Sequence, residues 1–354
     1  VTVGGTAGAS VESVTGTGPF TVTVSVPDGA EGTVTLSVDA AATTDLAGNA
    51  NEPSNVESVT VDRIDPTPVV SYAGANPTNA DELTFTVTFD EDVTGFDDTA
   101  DVSASIGSVM AITQLSPSEY TVTVNVALLE GDVEVSLAAG VAEDLAGNPS
   151  AASNTESVTV DRTAPVPVVS YAGADPTNAA QLEFTVTFDE EVKPITAADI
   201  TLGGTATGTA VTGVTGTGPF TVSVSVPTGA EGTVTVSLAP GATEDLVDNP
   251  SLASNVVSVD VDTKSPSAVV TAAASTAQVG SDLVFTVTFS EEVSDIESDD
   301  VTVVGTDVAP VVTGTTPVFT VTLPAVDDVG TVLVSVAAGV THDDSGNPNT
   351  ASNV

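Results

Sequence analysis

A repeat of about 100 residues runs through the whole chain and restricts it to an array of similar small domains. The segment Phe-Thr-Val-Thr-Phe begins at residues 85, 184 and 285, so its copies lie 99 and 101 residues apart. A second landmark, Asp-Leu-Ala-Gly-Asn, occupies residues 45–49 and 144–148 and returns in altered form at 245–249 and 343–347. This register predicts four repeats, at residues 1–61, 62–160, 161–261 and 262–354.

The two outer repeats are shorter than the inner ones. The first contains only the C-terminal half of the pattern, and the fourth lacks the final strand. We interpret both ends as interior points of a longer array. Supply of the missing strands by a neighbouring molecule is the alternative. The ends are not complementary, because one lacks several strands and the other lacks a single strand.

Within each repeat, apolar and polar residues alternate, which indicates half-buried strands. In the second repeat, Phe85, Val87 and Phe89 face one side, and the threonines between them face the other. Similar segments lie at residues 69–70, 120–124, 133–137 and 158–160, with a weaker one near 102–106, which predicts six or seven strands per repeat. We therefore expect an all-β fold of tandem immunoglobulin-like β-sandwich domains in an extended array. The chain has no Cys and no Trp, so the disulfide and tryptophan of antibody domains are absent.

The charge of the chain restricts its partners. Four Lys and Arg residues stand against 49 Asp and Glu residues, and the net charge is −45. Nucleic acid is excluded, since its binding requires a basic surface, and an anionic membrane surface is disfavoured. High salt or bound divalent cations would make this charge tolerable, and both indicate an extracellular location. No apolar run reaches about 18–20 residues, so membrane insertion is not expected.

The acidic loops are expected to meet where one repeat joins the next. Antiparallel strand order returns the B–C and F–G loops to the end of the sandwich at which strand A begins, next to the linker Asp. Because Ca²⁺ takes six to eight oxygen ligands, this convergence predicts calcium sites at the junctions. The candidate ligands are Asp62, Asp90, Glu91, Asp144 and Asn148; Asp161, Asp189, Glu190, Asp245 and Asn249; and Asp262, Glu291, Asp343 and Asn347. Glu31, Glu130 and Glu231 of the preceding repeats would face them.

Other interpretations of these acidic residues need no metal ion. Asp-Leu-Ala-Gly-Asn is also typical of a turn, in which Gly and Asn adopt positive φ and Asp accepts backbone N–H bonds. The acidic run after each Phe-Thr-Val-Thr-Phe segment is compatible with a solvated loop. Arg63, Arg162 and Lys264 follow the linker Asp by one or two residues. They are candidates for a junction salt bridge or a docking contact that neutralises the acidic residues instead.

The order of the motifs resembles a known family. Val-Asp-Arg-x-x-Pro, Asn-Pro-Thr-Asn-Ala, Phe-Thr-Val-Thr-Phe-Asp/Ser-Glu-x-Val and Asp-Leu-Ala-Gly-Asn follow one another as in the bacterial Ig-like repeats of large surface adhesins and biofilm-associated proteins. The resemblance implies a secreted, surface-tethered array that is often calcium-dependent. The fourth repeat departs most from the pattern, because Ala272 replaces Tyr72 and Tyr171, and Ser290 replaces Asp90.

Catalysis finds little support in the sequence. The single His342 stands where the other repeats have Glu143 and Glu244, which predicts a surface loop variant. Without a second His or any Cys it cannot form a His-based metal site or a catalytic triad. The paired carboxylates recur at equivalent positions in the repeats, which favours a structural role over one glycosidase-type active site.

Two functions follow from these observations. The first is an extracellular stalk or filament segment of a bacterial surface protein, stiffened by Ca²⁺ between neighbouring Ig-like domains of the same or sister chains. The alternative is an adhesive module that binds a host or surface ligand. It predicts an atypical loop in one repeat, and residues 295–300 and 325–329 of the fourth repeat are the candidates.

Overall fold

The computed structural model describes residues 1–327 and 330–354, and the chain forms two compact units, Val1–Arg162 and Thr163–Val354. The strands of the first unit are β1 (Thr2–Gly4), β2 (Ser10–Thr15), β3 (Thr21–Ser25), β4 (Gly32–Ser37), β5 (Glu57–Val61), β6 (Pro68–Tyr72), β7 (Glu82–Phe89), β8 (Val93–Thr94), β9 (Val102–Ala104), β10 (Ser108–Ser116), β11 (Glu119–Asn125), β12 (Gly131–Leu137), β13 (Glu143–Asp144) and β14 (Glu156–Val160).

The second unit continues the same series of strands. They are β15 (Pro167–Tyr171), β16 (Gln181–Phe188), β17 (Ile200–Gly204), β18 (Ala210–Thr215), β19 (Phe220–Ser225), β20 (Glu231–Leu238), β21 (Val257–Asp262), β22 (Ala268–Ala272), β23 (Ser281–Phe289), β24 (Val301–Val304), β25 (Val311–Thr315), β26 (Val318–Val326) and β27 (Leu333–Val336). The helical segments of the described chain are 3₁₀ turns at Thr99–Asp101, Ala197–Asp199 and Ser298–Asp300. None of them is long and apolar enough to cross a membrane.

The second, third and fourth repeats are two-sheet sandwiches, which confirms the predicted all-β, immunoglobulin-like class, and the first repeat has part of the same arrangement. In the second repeat one sheet has the order β6-β7-β11-β10 and the other β9-β12-β14. The third repeat has the same arrangement, β15-β16-β19-β18 with β17-β20-β21. In the fourth, β22-β23-β26-β25 accompanies β24-β27, and in the first, β1-β4-β5 accompanies β2-β3. The strand pairs within these sheets are antiparallel.

The core lies between the two sheets, where the alternating apolar residues point inward. Leu83, Phe85 and Val87 of β7 are completely buried, as are their counterparts Leu182, Phe184 and Val186 of β16. Removing a side chain of this size from water contributes about 1.5–3 kcal/mol, so the alternating pattern dominates the stability of each sandwich. Tyr72 and Tyr171 extend this core, because their rings pack on Phe85 and Phe184 at centroid distances of 5.3 and 5.2 Å.

Strand β10 of the second repeat does not show the alternation of apolar and polar residues. The side chains of β10 are mostly exposed and do not alternate along the strand. Its pairing with β11 shifts register between Val109 and Ala111 and again between Gln114 and Ser116. Each shift reverses the face that the following residues present, so the sequence lacks a continuous period of two.

The last strand of a repeat determines where the next linker begins. Thr78 forms two backbone hydrogen bonds with β14 and the residue after it. The Thr78 N–H donates to the Thr159 carbonyl, and the Asp161 N–H donates to the Thr78 carbonyl, both at 3.0 Å. Thr177 does the same for β21, where it accepts the Asp262 N–H at 3.0 Å. The final strand is therefore bonded on two sides, and the linker Asp is held at the end of its own repeat.

Candidate metal centre

Three carboxylates from distant parts of the sequence meet in the first unit. Asp62 follows β5, Glu91 lies in the loop after β7, and Asp144 ends β13. Each of them offers one carboxylate oxygen within 4.8 Å of the others. The linker and both loops therefore converge at one end of the second repeat, where the antiparallel strand order directs them.

The Asp-Leu-Ala-Gly-Asn segment fixes Asp144 by a tight turn. Asp144 Oδ1 accepts the backbone N–H groups of Ala146 and Asn148, both at 2.8 Å, and Gly147 has a φ of +89°. The turn interpretation is thus right about Asp and Gly. It is wrong about Asn148, whose φ is not positive. The turn needs the amide side chain of Asn148, since Nδ2 donates to Asp144 Oδ2 at 2.7 Å.

Hydrogen bonds keep Asp144 ionised although its side chain is buried. Burial is the largest influence on its pKa and raises it. The side-chain and backbone hydrogen bonds of Asn148, together with the N–H groups of Ala146 and Gly147, outweigh burial and hold the pKa below its usual value. Asp144 is therefore a fixed negative charge at the centre of the junction.

Glu91 is in the opposite situation. Its pKa is raised, first by burial and then by the negative charges of Asp62, Asp144, Asp90 and Glu31. Glu31 belongs to the preceding repeat, and it lines the same hollow as Asp62, Asp90 and Glu91. Ionisation of Glu91 is disfavoured here by burial first and by the neighbouring carboxylates second.

Asp90 forms a backbone hydrogen bond, unlike its neighbour Glu91, which faces the acidic cluster. Its Oδ1 accepts the backbone N–H of Thr67 at 2.7 Å, ahead of β6. Asp189 accepts the N–H of Val166 at 2.8 Å in the third repeat, and Ser290 Oγ accepts the N–H of Ser267 at 3.0 Å in the fourth. The position requires an acceptor and not a charge, which explains how Ser replaces Asp there.

A second cluster lies in the second unit, between the third and fourth repeats. Glu231, Asp262 and Glu291 each offer one oxygen within 4.8 Å of the others. Asp343 lies in the fourth repeat's counterpart of the turn that contains Asp144. Its Oδ1 accepts a hydrogen bond from the N–H of Asn347, and its Oδ2 accepts one from Asn347 Nδ2, both at 2.8 Å. Burial raises the pKa of Glu291, and the charges of Asp262 and Asp343 add to this effect.

The remaining candidate ligands lie in matching local structures. Asp161 follows β14 at the end of the first unit. In the second unit Asp245 is buried, and its carboxylate accepts the N–H of Asn249 at 2.8 Å and Asn249 Nδ2 at 2.7 Å. Glu190 is partly buried in the loop after β16. In the sequence repeat, Asp161 corresponds to Asp62 and Asp245 to Asp144. Asn249 likewise corresponds to Asn148, and Glu190 to Glu91.

The asparagine of the turn also binds the linker, a role that the sequence interpretation missed. Asn148 Nδ2 donates to the Asp62 carbonyl at 3.2 Å, and Asn347 Nδ2 donates to the Asp262 carbonyl at 2.8 Å. The amide nitrogen therefore points toward the linker backbone. The recurrence of Asn four residues after Asp was the available signal, because an Asx turn alone requires only the Asp.

The basic residues do not share one role. Arg63 donates to the Pro27 carbonyl of the preceding repeat at 3.0 Å. Arg162 donates to the carbonyls of Leu129 and Ala80 at 3.0 and 2.8 Å and pairs with Asp81 at 2.9 Å. These arginines make docking contacts with the repeat that they follow. Lys264 instead pairs with Glu231 at 3.1 Å, as a junction salt bridge.

Residues outside the junction clusters have local partners. Lys193 pairs with Glu244 at 2.7 Å and with Asp248, and the hydrogen bonds to Asp248 and then Glu244 raise its pKa. His342 is exposed, and a ring nitrogen contacts Ser294 Oγ at 3.0 Å. His342 and Ser294 thus stand in the fourth repeat where Glu244 and Lys193 stand in the third.

The loop at residues 295–300 has a counterpart in the third repeat. The N–H of Glu297 donates to Asp300 Oδ2 at 2.7 Å before a 3₁₀ turn, as the N–H of Thr196 does to Asp199 at the same distance. The segment is therefore not atypical. Of the other candidate segment, 325–329, residues 328 and 329 lie outside the described residues.

The junction donors could hold a hard metal ion. The clusters consist of carboxylate oxygens, which are hard ligands, without the nitrogen or sulfur donors that zinc prefers. Asp62, Glu91 and Asp144 are close enough for one ion to contact all three.

The match to a protein family agrees with the fold. The bacterial Ig-like domain family matches residues 62–160 and 262–354. No curated protein matches the sequence. Similar solved structures include FdeC, an Escherichia coli adhesin, at 16% identity and a TM-score of 0.36, covering 83% of this chain and 98% of that chain. InvD of Yersinia pseudotuberculosis is similar at 12% identity and a TM-score of 0.32, covering 82% and 88%. Invasin, a bacterial integrin-binding protein, is similar at 11% identity and a TM-score of 0.35, covering 94% and 68%.

Proposed function

Because this chain belongs to the bacterial Ig-like domain family, we propose that it is an extracellular stalk segment of a bacterial surface protein. Its four repeats have boundaries at residues 1–61, 62–160, 161–261 and 262–354, and Ca²⁺ stiffens those junctions whose acidic groups have no counter-ion of their own. The segment spaces a more distal part of the surface protein from the cell.

The observation that carries this proposal is the meeting of Asp62, Glu91 and Asp144 within 4.8 Å, with Glu31 of the preceding repeat beside them. Their mutual repulsion opposes close contact between the first and second repeats. Bound Ca²⁺ supplies positive charge and oxygen coordination, which turns this repulsion into attraction. Asp62, Glu91 and Asp144 hold the ion, and Asp161, Glu190 and Asp245 are the corresponding ligands by sequence.

The position of the ligands explains why such a site would stiffen a joint. Asp62 directly follows β5 of the first repeat, whereas Glu91 and Asp144 belong to loops of the second. A link between them restrains rotation about the short linker. In a linear array each repeat interacts mainly with its neighbours, so the stiffness of the joints sets the reach of the whole segment.

Small-angle scattering with calcium and with a chelator tests the proposal. We expect the maximum dimension to depend on calcium, while far-ultraviolet circular dichroism stays unchanged because the sandwich cores contain no ligand residues. Glu91→Gln should weaken calcium binding about tenfold by calorimetry, since one charged ligand is lost. The matched control is Glu119→Gln at the exposed first residue of β11, which should bind as the wild type does. Equal dimensions in both buffers would contradict the proposal.

A ligand-binding adhesive module is the second candidate from the same family. It requires that one repeat binds a ligand and the others do not. Immobilised host matrix proteins and glycans, tested with the whole chain and with loop variants of the fourth repeat, separate the two roles. Binding that is lost only in the fourth-repeat variants would favour the adhesive role over the spacer.

A further inference from the structure

One junction lies inside each compact unit: the first joins the first and second repeats, and the third joins the third and fourth. The two junctions have acidic residues at equivalent positions but differ in their basic residue. Glu31, Asp62 and Glu91 at the first junction correspond to Glu231, Asp262 and Glu291 at the third. The two residues after the linker Asp are Arg63 and Ile64 in one case and Thr263 and Lys264 in the other. The positive charge has therefore moved by one position along the linker.

The first of these positions makes the same contact in both junctions. Arg63 donates to the Pro27 carbonyl at 3.0 Å, and the Thr263 hydroxyl donates to the Pro227 carbonyl at 2.8 Å. A neutral hydroxyl thus replaces a guanidinium as the docking contact. The charge of Arg63 is directed to a carbonyl oxygen and not to the acidic cluster.

The second position differs in what the side chain reaches. The backbone is alike, because the N–H of Ile64 donates to Asp62 Oδ1 at 3.2 Å and that of Lys264 donates to Asp262 Oδ1 at 2.9 Å. The Ile64 side chain is exposed. Lys264 extends from the equivalent place, and its Nζ lies 3.1 Å from Glu231 Oε2, a member of the acidic cluster.

The electrostatics of the two clusters differ accordingly. At the first junction the charged neighbours of Glu91 are the carboxylates of Asp62, Asp144, Asp90 and Glu31. At the third, the charged neighbours of Glu291 are the carboxylates of Asp262 and Asp343 and the ammonium group of Lys264. Ser290 also removes the charge that Asp90 adds at the first junction. The third cluster thus has fewer negative charges and a positive charge of its own.

We propose that Lys264 is a built-in counter-ion, which closes the junction between the third and fourth repeats without a divalent cation. An ammonium group bonded to Glu231 competes with Ca²⁺ for that carboxylate and repels a second cation nearby. The array then combines a calcium-dependent joint at Asp62 with a calcium-independent joint at Asp262. This inference rests on the proposed calcium-dependent function of the junctions.

Exchange of the two linker residues tests the inference on the full chain. Lys264→Ile gives the third junction the residue of the first, and Ile64→Lys does the reverse. In calcium titrations followed by calorimetry, we expect K264I to gain one tight site and I64K to lose one. K264R is the matched control, since it keeps the charge and should bind calcium as the wild type does.

Spin-label distances locate the effect at each joint. The chain has no cysteine, so Ser25→Cys with Ser71→Cys reports on the first junction, and Ser225→Cys with Thr271→Cys reports on the third. In the wild-type background, a chelator should broaden the first distance distribution and leave the third narrow. K264I should make the third distribution broaden at least twofold in chelator and become narrow again with calcium.

The outcomes separate the two proposals. If the third junction of the wild type responds to calcium as strongly as the first, the role of Lys264 is overturned and the calcium-dependent stalk is retained. If K264I leaves the third distribution narrow in chelator, the counter-ion role is also overturned. If the first junction ignores calcium, the proposed function itself fails. Unchanged melting temperatures of the variants show that each change is confined to the junction.

Discussion

The side-chain amide of Asn148 donates to the backbone carbonyl of Asp62 at 3.2 Å, across 86 positions of the sequence. The same nitrogen holds Asp144 Oδ2 at 2.7 Å. One asparagine therefore joins the F–G turn to the linker that enters its repeat. Asn347 makes the same pair of contacts with Asp262 and Asp343, both at 2.8 Å. This connection uses protein groups alone, so it positions the acidic residues before any ion binds.

We expect Asn148→Ala to lower the free energy of unfolding by about 1–3 kcal/mol, because it leaves the Asp144 carboxylate short of a donor. Denaturant unfolding measures the change. Asn49→Ala is the matched control, since Asn49 binds Asp45 at 2.9 Å in an exposed turn and should cost less. Equal losses in the two variants would show that the contact with the linker contributes nothing.

Asp90 should tolerate Ser but not Ala. Asp90→Ala removes the acceptor of the Thr67 N–H and should cost about 1 kcal/mol, whereas Asp90→Ser should stay within about 0.5 kcal/mol of the wild type. Thermal unfolding of both variants checks this expectation, and Ser290→Ala provides the same test in the fourth repeat. A loss in D90S as large as that in D90A would mean that the charge matters there.

Substitutions at Tyr72 and Gly74 should have coupled effects on the free energy of unfolding. An added Cβ at Gly74 would lie 2.3 Å from the Tyr72 hydroxyl oxygen. Gly74→Ala alone should therefore cost about 1 kcal/mol through overpacking. Tyr72→Ala should cost about 2 kcal/mol, less than the 3–5 kcal/mol of a fully buried aromatic residue. In the double variant the cost of G74A should disappear, as in the fourth repeat, where Ala272 and Ala274 occupy these positions. A double-mutant cycle measures the coupling, and strict additivity would exclude the steric contact.

Tyr120 should make the second repeat sensitive to alkaline pH. Burial raises its pKa above the usual 10.0, against the opposing hydrogen bond from Gln114. The folded chain thus keeps the phenol protonated where the unfolded chain ionises it. Its contribution to stability is complete below pH 10.0 and is lost as pH rises from there to the folded pKa. Tyr120→Phe, the residue found at Phe220 and Phe319, should remove this loss. Denaturant unfolding at pH 9 and pH 11 measures it, and parallel profiles for both proteins would contradict the assignment.

Much of the fold was predictable because strands bury alternate residues. The alternation of Phe85 and Val87 with polar residues predicted β7. Its recurrence in the next two repeats predicted β16 and β23. The strand β10 could not be found in this way, since its two register shifts break the alternation. Strand order likewise predicted that the linker Asp and the loop acids would converge, because chain direction alone decides which loops share an end.

The individual roles of the site residues depend on distances that no pattern contains. Asp90 and Glu91 are neighbours in the chain, yet one caps the backbone at Thr67 and the other faces Asp62 and Asp144. Successive residues of a loop point in different directions, and only packed neighbours decide which contact each one makes. The placement of Arg63 on the Pro27 carbonyl, away from the acidic cluster, was undetermined for the same reason.

The amino-acid sequence by itself determined the sandwich class, the repeat length and the concentration of acid at the junctions, because hydrophobic period and charge are properties of the chain. The tertiary structure decided which oxygens meet and which nitrogen binds each of them. Asn148 shows the difference most clearly. Its place in the turn is local, but its bond to Asp62 exists only because folded strands bring together two segments that the chain keeps far apart.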